Sequence, residues 1–171
     1  MILSNLRRSV IAVAILVLST SAFAEVTTLP ADVRERLFAS APSVKMSYST
    51  KDIPAAVMDA CAKVAPDGEF LLANPGEKFQ ATDVIIYPKL PWRRLLWAAR
   101  LPNYYLLHYE HGGFAFHEHV VLVSYSDPKN AKVIWSGYSP PLKDYKEFLE
   151  ALKAGKLSDA KAGKFQETWH L

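Results

Sequence analysis

The chain has 171 residues, of which 50% are apolar and 12% aromatic, and carries a formal charge of +3 at neutral pH. This composition excludes a disordered or fibrous chain and supplies enough apolar surface for a core. A lone cysteine excludes an intramolecular disulfide, and a charge this near zero gives no long-range pull toward nucleic acid or an anionic membrane.

Residues 1–24 read as a cleaved secretory signal peptide. Arg7 and Arg8 form a basic n-region, Val10 to Leu18 an unbroken apolar h-region, and Ala22-Phe23-Ala24 a small-residue cleavage site ahead of Glu25. The apolar run is too short for the roughly 20 residues of a bilayer-spanning helix, so no membrane span is expected after cleavage. Removing Arg7 and Arg8 takes the 20 basic residues to 18 against 17 acidic, a formal charge of +1 on residues 25–171. Those residues suit one globular domain, exported to a periplasm or to the medium.

Two helices are expected first, over Pro30 to about Ser40 and over Ile53 to about Val64, the second capped by Asp52 with Pro54 in its first turn. Ile53, Val57, Ala60, Cys61 and Val64 form its apolar stripe, which makes Cys61 a core residue and not a reactive thiol. After Pro66-Asp67-Gly68 the pattern changes to short alternating runs. Strands are expected over Glu69 to Ala73, Phe79 to Tyr87, Arg93 to Leu101, Tyr104 to His111, Phe114 to Ser126 and Ala131 to Tyr138. A third helix follows Pro140-Pro141, with Leu142, Tyr145, Leu149 and Leu152 as its stripe and Gly155 at its C′ position. Residues 157–171 fit either a helical turn or a strand. The fold class is therefore α+β: an antiparallel meander of about five to six strands with two N-terminal helices and one C-terminal helix packed on one face.

Four of the five histidines lie between His108 and His119, around Gly112-Gly113. A Gly-Gly pair between alternating runs signals a two-residue hairpin turn, in which His108 faces His117. His108, Glu110, Ala115, His117 and His119 would then share one face, and Tyr105, Leu107, Tyr109, Phe114, Phe116 and Val120 the core face. Trp97 is expected across from His108 and Tyr138 across from His119, with Leu95 and Leu106 on the same histidine face and Val121 and Val123 continuing it, in part under a helix.

Three imidazoles at cross-strand spacing suit a zinc-type cation, with Glu110 as fourth ligand or as base for bound water. Clustered imidazoles on an aromatic-rimmed face equally suit docking, or a pH response. Trp92, Arg93, Arg94, Trp97 and Arg100 interleave basic and aromatic residues, but the near-zero charge argues against nucleic acid and for an edge strand guarded by arginine. No nucleophile elbow and no phosphate-cradling glycine loop occurs in the sequence.

The reading is an exported, non-enzymatic binding or interaction module that meets a protein or small-molecule partner through Trp97, His108, His117, His119 and Tyr138, with no cofactor expected. The alternative is a metal-binding protein or metal-dependent hydrolase that holds a divalent transition metal through His108, His117, His119 and Glu110.

Overall fold

The computed structural model describes residues 29–66, 68–85, 87–113 and 116–160; the expected export signal and the residues from 161 onward lie outside them. Among the described residues no helix is long and apolar enough to cross a membrane.

Three helices form: α1 (Ala31–Ala39), α2 (Ala55–Ala62) and α3 (Tyr145–Lys153). Seven strands form one sheet: β1 (Lys45–Ser47), β2 (Leu72–Ala73), β3 (Arg93–Arg100), β4 (Tyr104–His111), β5 (His117–Ser124), β6 (Lys132–Ser139) and β7 (Ser158–Asp159). Their order is β1-β3-β4-β5-β6-β7, all antiparallel, and β2 adds a short parallel pairing to the outer edge of β3. The α+β class and the meander of four long strands are as the sequence indicates.

Asp52 does not cap α2. Pro54 stands at the N-cap, and the Asp52 carboxylate instead accepts from the Ser47 hydroxyl at 2.7 Å. The cap that does form is Asp144 on α3, which accepts from the Glu147 N–H at 2.9 Å. Gly155 ends α3 as expected: its N–H reaches Leu152 O and the Lys156 N–H reaches Ala151 O.

The strand expected over Phe79 to Tyr87 is absent among the described residues. The outer edge of β3 is taken by β1 at Ala98–Arg100 and by β2 at Arg93–Arg94, so this segment has no free ladder to join. β3 is consequently an interior strand, not an arginine-guarded edge. Phe79 and Gln80 are still buried, with the Arg94 guanidinium 4.4 Å above the Phe79 ring.

Helices cover both faces of the sheet and not one. Val33 and Leu37 of α1 and Tyr145, Phe148, Ala151 and Leu152 of α3 pack with Trp97, Leu106, Val120, Leu122 and Trp135. Val57, Ala60 and Cys61 of α2 pack on the other face with Leu95, Ala98, Tyr105, Leu107, Tyr109, Val121 and Val123. Buried polar bonds tie the first layer together: Trp97 Nε1 donates to Leu142 O at 2.8 Å, and the Tyr145 hydroxyl donates to Leu37 O at 2.8 Å. β3 serves both layers by the ordinary alternation of its side chains, and a bulge between Leu95 and Trp97 shifts the phase of that alternation. It turns Leu95 to the α2 face, leaves Trp97 on the α1/α3 face, and returns Arg94 to the side of Trp97.

Candidate functional site

The hairpin register decides the site. β4 ends at His111 and β5 begins at His117, so five residues connect the strands and the glycine pair is not a two-residue turn. His108 pairs with Val120 and His111 with His117, three residues out of the expected register. An odd shift moves every side chain of one strand to the other face. His108 and Glu110 therefore face α1 and α3, whereas His117 and His119 face α2, and the expected set of His108, His117, His119 and Glu110 does not assemble.

The physical reason lies at Gly112. A Cβ there would sit 1.7 Å from the carbonyl oxygen of Gln80, and the Gly112 N–H donates to Trp92 O at 2.9 Å. Gly112 thus serves close backbone approach of the 74–92 segment, while Gly113, at φ 112°, supplies the turn. Phe114 and Ala115 lie outside the described residues. Phe116, expected in the core, is 55% exposed.

The flanking registers are as expected: Trp97 pairs with His108 and Tyr138 with His119. Trp97 and His108 are buried with ring centres 5.0 Å apart, and Leu106 shares their face. Tyr138, 40% exposed, belongs with His117 and His119. Val121 and Val123 continue that face beneath α2.

Two clusters result. In the first, on the α1/α3 face, His108 Nε2 meets Ser139 Oγ at 3.1 Å in hydrogen-bond geometry, and Glu118 Oε2 stands 2.9 Å from the same nitrogen without that geometry. Burial lowers the His108 pKa to about 4, so the ring is neutral at pH 7. Glu118 is pushed above the usual carboxylate range, first by burial and then by the charge of Glu110 opposite it in the ladder, against a Leu142 backbone hydrogen bond. Glu110 in turn is held by Arg94, Nε to Oε2 at 2.6 Å. Serine and carboxylate compete for one ring nitrogen while Nδ1 has no hydrogen-bond partner among the described residues, which is not the arrangement of a nucleophilic relay.

The second cluster lies on the α2 face at the hairpin end. Ring centres of His111, His117 and His119 are 5.7 Å (111–117), 5.8 Å (111–119) and 4.4 Å (117–119) apart. Tyr138 covers them at 5.1 Å from His117 and 4.8 Å from His119, and Tyr109 stacks on His119 at 5.3 Å. His111 and His119 are buried and His117 is half-buried. Sequence reasoning missed His111. The signal that would have found it is the parity of a five-residue connection.

Comparison of the chain with protein-family models, with curated proteins and with solved structures finds no match.

Proposed function

We propose that the protein is an exported binding module that docks a partner protein at the hairpin end of its sheet. The observation that carries this reading is where the apolar surface lies. Of the eight large apolar side chains exposed among the described residues, Phe116 lies in the hairpin connection, Val84, Ile85 and Tyr87 in the 74–92 segment that packs against it, Leu71 just before β2, and Tyr138 on β6 beside His117 and His119. The 74–92 segment is fastened there by the Gly112 N–H donating to Trp92 O at 2.9 Å, and is closed on itself by the Gln80 N–H donating to Pro91 O at 2.9 Å. Beside it runs an open groove of about 380 Å³ lined by Leu71, Leu90, Trp92 and their neighbours.

Apolar side chains gathered at one end of a protein are the usual mark of an interaction surface, and tyrosine, tryptophan and phenylalanine are its usual anchors. Export rests on the pattern of residues 1–24, with residues 25–171 as the single exported domain. Two measurements test the reading. N-terminal sequencing of the mature protein should begin at Glu25. A photocrosslinking phenylalanine analogue placed at Phe116 or Tyr87 should capture the same partner in the producing cell, whereas one at Asn103, exposed in the β3–β4 turn at the opposite end of the sheet, should capture none. Equal capture from all three positions, or none from any, contradicts the proposal.

A further inference from the structure

We infer that the docking surface takes a second copy of this chain, and that the two copies seat an apolar loop of each in a groove of the other about a two-fold axis. The inference rests on the docking reading given above and names its partner.

The loop is residues 80–91. Its base is closed by the Gln80 N–H donating to Pro91 O at 2.9 Å, and the Gln80 carbonyl lies against Gly112 of the hairpin. Beyond that base Val84, Ile85 and Tyr87 are 62%, 58% and 56% exposed. Lys78 Nζ lies 5.9 Å over the Tyr87 ring, and the Leu90 N–H donates to Tyr87 O at 3.0 Å, so the tyrosine is placed by its own segment. Three large apolar side chains within four residues, carried on a closed loop, form a knob of the kind that marks an interaction surface.

The groove of about 380 Å³ begins where the loop ends. Leu71, Leu90 and Trp92 give it apolar walls, and Lys89 and Arg93 line it with one carboxylate, Glu69. Val84 and Ile85 are not among its lining residues, so each copy carries a knob and a groove that it does not itself join. The knob and one wall of the groove share the stretch 84–93, and that proximity lets a two-fold axis close the contact instead of propagating it.

Charge agrees with this seating. Asp83 adjoins the knob and Lys89 lines the groove, both exposed, so the exchange brings the carboxylate of each copy toward the ammonium of the other. With two cations to one carboxylate, the groove favours an acidic neighbour.

Sedimentation equilibrium of the tag-free mature protein tests this and should find a closed dimer. Ile85→Asp, at an exposed position, should weaken the dimer by about tenfold or more and leave the melting temperature of the monomer unchanged. Asp83→Lys should weaken it by about tenfold at low salt, and Lys89→Asp added in the same chain should restore it. A monomer at every concentration, an open series of larger species, a dimer indifferent to Ile85→Asp, or a charge reversal that the second substitution does not restore overturns the inference. A monomer that still captures another protein through Phe116 ends this inference and leaves the docking reading standing, whereas a monomer that captures nothing ends both.

Discussion

His108 and His117 stand on opposite faces of one sheet, because His117 takes His111 and not His108 as its ladder partner. The relationship divides the histidines by chemistry. His108 is fully buried beside Trp97, Ser139 and Glu118, and His117 lies half open beside Tyr138. Different behaviour toward protons, mutation and ligands is expected of the two faces.

The pH dependence of stability should carry the signature of His108. Its folded pKa, about 4, lies below the ordinary imidazole value of 6.5, so the unfolded chain binds a proton that the folded chain refuses. Stability from this group is complete above pH 6.5 and is lost as pH falls toward 4, by about 2 kcal/mol at pH 5. Glu118, raised by burial, holds its proton more tightly when folded and offsets part of that loss in acid. Urea denaturation at pH 7 and pH 5 checks this: His108→Gln should lose less stability between the two than the wild type. An identical loss would contradict it.

Arg94 contacts the carboxylate pair of Glu110 and Glu118 through Glu110, at 2.6 Å with side-chain exposures of 28% and 12%. Arg94→Met should cost about 1–3 kcal/mol at pH 7, since it leaves a nearly buried carboxylate uncompensated. Glu110→Gln in the same chain should recover most of it. A loss that the second substitution does not relieve would show that Arg94 acts through its packing on Phe79 instead.

Gly112→Ala should destabilise the protein by about 1–3 kcal/mol or more, because the new methyl group meets the Gln80 backbone and not a movable side chain. Limited proteolysis should show cleavage within residues 74–92 rising with it. A neutral substitution would mean that the 74–92 segment does not rest on the hairpin.

Cys61, buried on α2, has its thiol pKa pushed up to about 12 by burial, against the partial opposing charge of Arg93. Thiol reagents should label it at neutral pH only as fast as the protein unfolds, and readily in denaturant. Fast labelling of the native state would contradict its place in the core.

Much of this fold is legible in the residues. β4 matches its expected bounds, Trp97 meets His108, Tyr138 meets His119, and Cys61 sits where helical spacing puts it, because each depends on a local period or one short turn. The candidate site is less so, since its composition hangs on the parity of the connection between His111 and His117. Gly-Gly signals a tight turn locally, but Gly112 answers to Gln80, a contact far away in sequence. The bulge between Leu95 and Trp97 and the capture of the β3 edge by β1 and β2 are likewise tertiary, and no pattern in residues 79–87 betrays them.

The central claim is that His111, and not His108, completes the imidazole cluster on the α2 face. Nuclear Overhauser contacts among the imidazole ring protons of the wild-type protein test it most directly. Ring contacts among His111, His117, His119 and Tyr138, with none from His108 to His117 or His119, are the expected result. A ring contact between His108 and either His117 or His119 would contradict the register on which the account stands.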